Sequence, residues 1–387
     1  MKVSDYSAGA PRGATIRQFR VRDHLLKVVT ASTGADELVT ETFHPPGMLN
    51  VCEVRDDHEP DLTIVDLVCG DAEIEELLLT ASVGTRNEYE LTRDFRLPRF
   101  DLDEHTVFTL QDVNSDEVAA VVRTDRRVTI VRPPTGLGDR WLTRVIRDVA
   151  TRYAKADGSL ILHSSAFVSE GSAYLVIGDS GAGKSTTAIA LARLLPTGGW
   201  MGNDRMHLDT QGSHYRVTAC PLPLAVNKGS LDVLGVTGFE GWSVRAGFPG
   251  PGSDWDRFQG EDKLKLSSEE VDRYLGVQVV PEAPLAGVIL PRIDLSAEYD
   301  CEAAKPDYAA AVIERNCFSL DDNLYGEDWL GVTAHRRVAA PSLDVFLDYL
   351  TDLPVLSCSM SCADDVARLL VDFQRAVAAT PTTRKRI

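Results

Sequence analysis

The chain has 387 residues, 44% apolar and 25% charged, which is the composition of a folded protein with one large domain or two ordinary ones. Its net charge of −18 repels phosphate backbones, so no nucleic-acid partner is expected. The sequence contains neither a long apolar run nor a signal-peptide block, so we expect no membrane partner and a cytoplasmic location.

Residues 1–135 are predicted to form a β-rich N-terminal accessory domain. The segment "LTIVDLV" is apolar and β-branched, and "EVAAVVRTDRRVTIVRP" has the pattern of a hairpin with its turn at residues 124–126. Acidic stretches such as "GDAEIEELLL" are interpreted as solvated faces. No motif in this region indicates a function.

Residues 136–387 are predicted to form a second, catalytic domain. The boundary falls in "PPTGLGD", where Asp139 is expected to cap a helix over "RWLTRVIRDVATRYAK". The strand "LILHSSAFV", the turn "SEGS" and the buried strand "AYLVI" follow, and after a glycine-rich loop "KSTTAIALARLL" has the pattern of a helix that ends before Pro196.

The remainder of the chain alternates strands and helices. Strands are predicted at "RMHLDT", "HYRVTAC", "LAGVILPRIDL" and "LPVLSCSM", and helices at "PDYAAAVIERN", "SLDVFLDYL" and "DDVARLLVDFQRAVA". The segment "GFEGWSVRAGFPGPGSDWDRFQG" is too irregular for either and is typical of a binding lid or a disordered segment.

The seven cysteines are odd in number, scattered, and contain no C-x-x-C pair, so neither a disulfide framework nor a zinc ribbon is expected. Cys358 and Cys362, the nearest two in sequence, are interpreted as buried free thiols. The histidines show no zinc-ligand spacing.

The loop "GDSGAGKST" satisfies the pattern G-x-x-x-x-G-K-[ST] and lies between a predicted strand and a predicted helix, which is the context of a phosphate-binding loop. Its glycines allow backbone N–H groups to point at an anion, and the following helix adds its positive dipole end. Lys184 is expected to reach the outer phosphates of ATP and Ser185 to bind Mg²⁺. The predicted cofactor-binding residues are Gly178, Asp179, Ser180, Gly181, Ala182, Gly183, Lys184, Ser185 and Thr186.

Other classes of protein contain parts of this string. A trypsin-like protease, suggested by "GDSG", lacks its histidine-bearing segment, and a hydrolase elbow would require glycine where Ala182 stands. An ABC-type ATPase would also require an LSGGQ-type signature and a strand ending in Asp-Glu, whereas "AGVILPRID" ends in Asp294 followed by Leu295. We therefore set these classes aside.

The region from His163 to about Leu208 resembles the catalytic domain of HPr kinase/phosphorylase, which is itself similar in fold to the ATP-dependent phosphoenolpyruvate carboxykinases. Three features carry the resemblance: "LH" opening a strand before the loop, the extended "GDSGAGKS", and "GNDR" after the loop. The resemblance implies an α/β fold, with an HPr kinase C-terminal-domain-like P-loop core behind the β-rich N-terminal domain.

The resemblance also implies roles for single residues. Its catalytic set is His163, near the transferred phosphate, with Lys184, Asn203 and Asp204; its metal ligands are Ser185 and Asp204. The family usually has aspartate as acid/base where this chain has Asn203, and an amide cannot take a proton. His163 and Asp204 both remain candidates for the base, and the reverse phosphorylase reaction is not expected.

Basic residues after the loop are candidates for contacts with the γ-phosphate or the acceptor. Lys263 and Arg205 are the preferred two of a set that comprises Arg205, Lys228, Arg245, Arg257, Lys263 and Lys265.

The sequence thus predicts an ATP- and Mg²⁺-dependent kinase that transfers the γ-phosphoryl group to a hydroxyl of a peptide or protein serine, or of a small metabolite. The alternative is a nucleotide-binding regulatory ATPase without phosphoacceptor activity. A carboxykinase-like activity is disfavoured because its metal-ligating Lys and His are not visible. A homo-oligomer is an open expectation that comes from the family.

Overall fold

The computed structural model describes residues 11, 13–45, 47–92, 95–111, 117–136, 138–238, 263–294, 296–320, 328–333, 342–362 and 364–379. The chain forms two compact units of mixed α/β structure: the first comprises Met1–Gly158 and Ser319–Ala340, and the second Ser159–Phe318 and Pro341–Ile387. The division therefore follows Gly158, not residue 135, and the first unit also takes a segment from late in the chain.

The first unit is built on a nine-stranded mixed sheet with the order β3-β1-β2-β4-β9-β8-β7-β6-β5. The central pairs β2/β4 and β4/β9 are parallel, and the other neighbours are antiparallel. The strands are β1 Thr15–Val21, β2 His24–Thr30, β3 Val51–Val54, β4 Leu62–Val68, β5 Thr85–Thr92, β6 Phe95–Asp101, β7 Thr106–Gln111, β8 Val118–Arg123 and β9 Arg127–Arg132. The strand at "LTIVDLV" and the β8/β9 hairpin are confirmed.

Three helices belong to this unit: α1 Thr33–Thr42, α2 Asp71–Ala81 and α3 Arg140–Ala156, and a short 3-10 turn covers Met48–Asn50. The segment "GDAEIEELLL" was predicted to be only a solvated acidic stretch, but most of it forms helix α2. The start of α2 is stabilised by the Glu73 carboxylate, which accepts a hydrogen bond from the Gly70 N–H at 2.9 Å. Ile74 and Leu77 on its other face are buried against β7, β8 and β9. Helix α3 packs against α1, which is why the first unit extends to Gly158.

Asp139 lies at the N-cap of α3 as predicted, but its side chain does not cap the helix. Its carboxylate instead lies 2.7 Å from the guanidinium of Arg132, which also binds Asp66 through two bonds of 2.7 and 2.8 Å. The Ser32 hydroxyl donates to Asp139 at 2.8 Å and caps α1 by accepting from the Ala35 N–H. The Asp139 carboxylate therefore pairs with the buried Arg132 and does not cap the N–H groups at the start of α3.

Trp329, from the late segment of the first unit, is buried among aromatic side chains of the same unit. Its ring lies edge-on to Phe108 at 5.1 Å and is stacked on Tyr89 at 6.1 Å. Its indole N–H donates to Asp148 at 2.7 Å, and the same carboxylate accepts from the buried Arg152 at 2.8 Å. This arrangement fixes the segment to the first unit.

The second unit contains a nine-stranded mixed sheet with the path β10-β14-β15-β18-β12-β11-β13, in which β20 lies beside β18 and β19 beside β20, and a small sheet of β16 and β17. Its strands are β10 Leu160–Leu162, β11 Ser164–Ser169, β12 Ser172–Ile177, β13 Gly199–Gly202, β14 Met206–Gln211, β15 His214–Ala219, β16 Leu224–Val226, β17 Leu264–Leu266, β18 Glu282–Ile293, β19 Asp300–Ala303 and β20 Val355–Met360. The pairs β12/β18 and β18/β20 are parallel.

The helices of the second unit are α4 Lys184–Leu194, α5 Lys228–Val233, α6 Ser268–Glu270, which continues as a π-helix over Val271–Leu275, α7 Pro306–Arg315, α8 Leu343–Leu350 and α9 Asp364–Ala379; a 3-10 turn covers Phe318–Leu320. Helix α4 packs on β11, β12 and β13 and contacts α9. The core between them includes Phe167, Val176, Ile189 and Phe373. These apolar contacts fix the start of α4 at the end of β12.

Every strand and helix predicted after residue 159 is present, except that "LILHSSAFV" forms two strands, β10 and β11, separated at His163. Apart from Gly238, the Gly/Pro-rich segment predicted to be a lid or disordered lies outside the described residues. Cys358 is buried as predicted, but Cys362 is exposed because it lies in the turn between β20 and α9. Within the described ranges, no helix is long and apolar enough to cross a membrane.

Candidate functional site

The glycine-rich loop joins the end of β12 at Ile177 to the start of α4 at Lys184. Strand β12 is parallel to β18, so the loop lies at the edge of the sheet where β18 also ends. Gly183 is the N-cap of α4, and a glycine has no side chain with which to cap it. The first N–H groups of the helix therefore remain available to an external acceptor.

Two glycines of the loop adopt a backbone conformation that other residues rarely adopt. Gly181 has φ of 81° and Gly183 has φ of 85°. A Cβ at Gly178 would lie 3.0 Å from the Ala182 Cβ and 3.3 Å from the Pro291 carbonyl oxygen of β18. The glycines thus allow the loop to curl and to lie close against β18, as the sequence pattern predicted.

The Lys184 side chain folds back over the loop. Its ammonium donates to the carbonyl oxygens of Gly178 at 2.8 Å and Asp179 at 3.0 Å, and the residue is only 8% exposed. Burial lowers the pKa of Lys184, while the negative charges of Asp204 and Asp179 oppose that shift. Across the described part of the chain, no carboxylate forms an ion pair with this ammonium.

The two hydroxyl groups at the start of α4 have partners on other elements. The Ser185 hydroxyl lies 3.2 Å from the Ser165 hydroxyl of β11, and the Thr186 hydroxyl lies 2.7 Å from that of Ser230 in α5. Ser230 in turn donates to Asn227, which caps α5. These contacts fix the first turn of α4 to its neighbours.

The exposed part of the loop comprises Asp179, Ser180 and Gly181. The Asp179 carboxylate lies 3.5 Å from the Arg315 guanidinium and accepts from the Asn316 amide at 3.4 Å, while its carbonyl accepts from the Ala182 N–H at 3.2 Å. Asp179 is therefore linked to the end of α7 as well as to its own turn.

Asn316 is a site residue that sequence reasoning missed. Its main-chain carbonyl oxygen accepts a hydrogen bond from the main-chain N–H of His163 at 2.7 Å. Its buried side-chain amide donates to the Asp179 carboxylate and to the Val312 carbonyl. It thereby joins the loop to the strand break that carries His163. The only sequence signal was that asparagine often ends a helix, which says nothing about a distant loop.

His163 lies between β10 and β11, with its ring stacked on Phe318 at a centroid distance of 5.1 Å. Burial is the largest cause that lowers the pKa of His163, and the positive charges of Lys184 and Arg205 add to it. Asp204 and Asn316 act in the opposite direction. The structure thus brings His163 within electrostatic reach of Lys184 and Asp204, and the lowered pKa favours its neutral imidazole.

Asn203 and Asp204 form the turn between β13 and β14. Asn203 is 1% exposed, and neither its amide nitrogen nor its amide oxygen has a hydrogen-bond partner among the described residues. Asp204 is exposed and has φ of 64°, a left-handed conformation that is uncommon for a residue other than glycine. Unpaired buried amides and strained turns of this kind are found at functional sites.

The basic candidates are placed differently from one another. Arg205 lowers the pKa of His163, and Lys263, the residue before β17, lowers that of Lys184, so both lie in the neighbourhood of the loop. Lys228 is the first residue of α5 and Lys265 lies within β17. Arg245 and Arg257 lie outside the described residues.

A divalent cation at this loop would depend on few protein ligands. Within the described residues, no group of three or more His, Cys, Asp and Glu side chains could hold a metal ion. The Ser185 hydroxyl and the Asp204 carboxylate would nevertheless suit Mg²⁺, because this cation keeps several waters and takes its other ligands from substrate phosphates. The donor set therefore suits a cation that arrives with a nucleotide.

In comparisons with known proteins, no family model and no curated protein matches the chain.

Proposed function

We propose that the second unit binds MgATP at residues 178–186 and transfers the γ-phosphoryl group to a hydroxyl of a peptide or protein serine, or of a small metabolite. The observation that carries this proposal is the Lys184 ammonium, which is almost fully buried and lacks an ion-pair partner in the described chain. A buried charge without a counter-ion is costly, and an anion that binds there removes the cost.

Three features of the loop favour a polyphosphate as that anion. The start of α4 offers N–H groups that have no acceptor among the described residues, together with the positive end of a helix dipole, equivalent to roughly half a charge. The glycines let the loop curl close against β18, and a curled glycine-rich loop can direct successive backbone N–H groups at an anion. A single carboxylate or sulfate would engage the helix end, but a chain of phosphates also reaches Lys184.

Magnesium is the cation that best fits the adjacent oxygen ligands. Ser185, at the second position of α4, and Asp204, whose charge acts on Lys184, would hold it together with the phosphates. Bound there, the cation would neutralise charge on the phosphate oxygens. The Ser165 hydroxyl beside Ser185 would keep the Ser185 side chain oriented.

The residues around the loop suit a hydroxyl acceptor. Among the described residues, neither the nitrogen nor the oxygen of the Asn203 amide has a partner, and a donor and an acceptor are the two groups needed to orient an alcohol. The lowered pKa of His163 favours its neutral imidazole, which is the form that can accept a proton. Asp204 is a second candidate for the base, and Arg205 and Lys263 supply positive charge nearby.

The second candidate function is a nucleotide-binding regulatory ATPase without an acceptor. It is favoured by Asn203 itself, because an amide stands where the HPr kinase family, which the loop region resembles, has its acid/base carboxylate. In that case nucleotide binding would bias a conformation without transferring phosphate.

A transfer assay separates the two functions. The full chain is incubated with γ-labelled MgATP and a pool of serine-containing peptides, with the same pool in which serine is replaced by alanine as the matched control. A second pair uses small polyols and their deoxygenated analogues. If the chain is a kinase, we expect labelled product with only one of the two hydroxyl-containing pools. ADP release with that pool is expected to be several-fold faster than with its matched control. Equal ADP release with all four pools, and label only in inorganic phosphate, would reject the kinase in favour of the ATPase.

A further inference from the structure

Two cysteines of the second unit lie directly opposite each other on neighbouring strands, away from the glycine-rich loop in sequence. Strands β19 and β20 are antiparallel, and their register pairs Cys301 with Cys358. Cys358 is buried and Cys301 is half-buried, so one sulfur is protected and the other can be reached from solvent. Both side chains belong to the core that α9 covers.

The hydrogen-bond pattern of these strands brings the two thiols close together. The Ala304 N–H donates to the Val355 carbonyl at 2.8 Å, which makes that pair a hydrogen-bonded pair of the ladder. Such pairs alternate with non-hydrogen-bonded pairs, so Cys301 and Cys358, three positions away, form a non-hydrogen-bonded pair. The Cα atoms of such a pair are about 4.5 Å apart, at the short end of the range of about 4.4–6.8 Å found in disulfides.

The chemical surroundings favour reaction at Cys301. The pKa of Cys301 is lowered by the adjacent Cys358, against the opposing effect of burial, and the pKa of Cys358 is raised. The Cys358 thiol itself donates to the Leu290 carbonyl at 3.9 Å. Tyr299, which precedes β19, lowers the pKa of Cys301 further, and the Arg368 guanidinium lies 4.1 Å from the centroid of its ring. A thiolate at Cys301 thus has a resolving thiol immediately beside it.

We propose that Cys301 and Cys358 are a reversible oxidation site that forms a cross-strand disulfide when the chain meets a hydroperoxide. The Cys301 thiolate attacks the peroxide, forming an S–O bond and breaking the O–O bond, and the released hydroxide or alkoxide takes up a proton. The Cys358 sulfur then attacks the Cys301 sulfenic acid, forming the S–S bond, and its proton leaves with the hydroxyl as water. A dithiol reductant returns both thiols.

Peptide mapping of the oxidised full chain tests the site. The chain with Cys52→Ser and Cys362→Ser, which removes the two exposed thiols, is treated with hydrogen peroxide, and free thiols are then alkylated under denaturing conditions. We expect two fewer alkylated thiols than in the untreated variant, a linked peptide pair containing Cys301 and Cys358, and recovery of both thiols with dithiothreitol. A Cys301 that stays reduced, or that reaches sulfinic acid while Cys358 remains alkylated, would overturn the proposal.

Single variants identify the two roles. Cys358→Ser is expected to leave a Cys301 sulfenic acid that a dimedone reagent traps, and Cys301→Ser to leave Cys358 reduced. Because Cys358 is buried and its variant can fail to fold, Cys301→Ser is the decisive one. Oxidation of Cys358 to the same extent in Cys301→Ser as in the parent variant would refute the assignment.

Discussion

Two buried polar groups set the chemistry available near the glycine-rich loop. The Lys184 ammonium is held by carbonyl oxygens and lacks a carboxylate partner in the described residues, and Asn203 has two polar atoms without partners there. A buried amide without partners lowers stability by about 1–3 kcal/mol relative to a satisfied one, and a buried charge without a counter-ion is also costly. Because these groups lower stability, we expect them to bind a ligand.

Replacing Asn203 by leucine separates stability from function. Leucine has a similar branched shape and no polar atoms, so we expect the free energy of unfolding to change by less than about 1 kcal/mol or to rise. If Asn203 orients the acceptor, turnover falls by roughly 10²-fold. Chemical denaturation and the transfer assay measure the two effects.

Asn316→Leu is the matched control for that substitution. Asn316 is also buried, but its amide donates to the Val312 carbonyl at 2.9 Å, so the leucine variant is expected to lose about 1–3 kcal/mol of stability. A loss from Asn203→Leu as large as that from Asn316→Leu would show that the Asn203 amide is satisfied in solution.

The protonation of His163 gives a pH dependence with a definite sign. Because the folded-state pKa of His163 lies below the ordinary histidine value of 6.5, the unfolded chain binds its proton more readily. The contribution of His163 to stability is therefore constant above about pH 6.5 and is lost as the pH falls from there through the folded-state pKa. NMR titration of the histidines measures the pKa of His163. Chemical denaturation of the wild type and of His163→Gln at several pH values measures the free energy of unfolding. Titration of His163 above 6.5 would contradict the site electrostatics.

At the scale of elements, the connection between α4 and β13 requires glycine at residue 198, just as the phosphate-binding loop requires its own glycines. A Cβ at Gly198 would lie 1.9 Å from the backbone carbonyl oxygen of Ala192 in α4. The chain must pass this point to form β13, and the turn with Asn203 follows that strand. Glycine at residue 198 therefore allows the helix and the site turn to be close neighbours.

Gly198→Ala should consequently destabilise the second unit by about 1–3 kcal/mol, because the backbone must shift. It is also expected to reduce turnover by displacing the Asn203 turn. Gly212→Ala in the β14/β15 turn is the control: its φ of 62° costs only about 1 kcal/mol, since nothing lies within 4 Å of its Cβ. Urea denaturation of both variants measures the difference, and equal losses would contradict the close approach.

The elements differ in how far the sequence could predict them. Strands β12 and β18 and helices α4, α7 and α9 have long apolar patterns, and those patterns were sufficient. Helix α2 was missed because its exposed acidic residues hide a short apolar face. The loop was predictable because its glycines, lysine and serine are contiguous, whereas Asn316 was not, because tertiary contacts alone bring it to Asp179.

At the scale of the whole molecule, the two units are not contiguous in sequence, and this organisation could not be predicted. Composition changes at "PPTGLGD", but α3 belongs to the first unit because its apolar face packs on α1. In the late segment of the first unit, the described residues 328–333 contact the unit through Trp329, and a single aromatic residue gives no periodic pattern in the sequence. The mixed α/β class was predictable, whereas the extent of the two units along the chain was not.

Trp329→Ala tests the discontinuous first unit. Removing a buried tryptophan should cost about 3–5 kcal/mol, and the loss should appear as faster hydrogen exchange in peptides of the first unit. Trp329→Phe keeps the aromatic contacts and loses only the bond to Asp148, so a loss of about 1–2 kcal/mol is expected. Faster exchange confined to peptides of the second unit would show that the segment belongs elsewhere.

The central claim is that the loop at residues 178–186 holds the phosphates of a magnesium nucleotide. Calorimetric titration of the full chain with Mg²⁺ and a non-hydrolysable ATP analogue tests it most directly. We predict one site per chain, unchanged in Lys305→Ala, which removes an exposed lysine at the start of α7, and about 10–100-fold weaker in Lys184→Ala. No binding to the wild-type chain, or equal affinity in Lys184→Ala, would contradict the account.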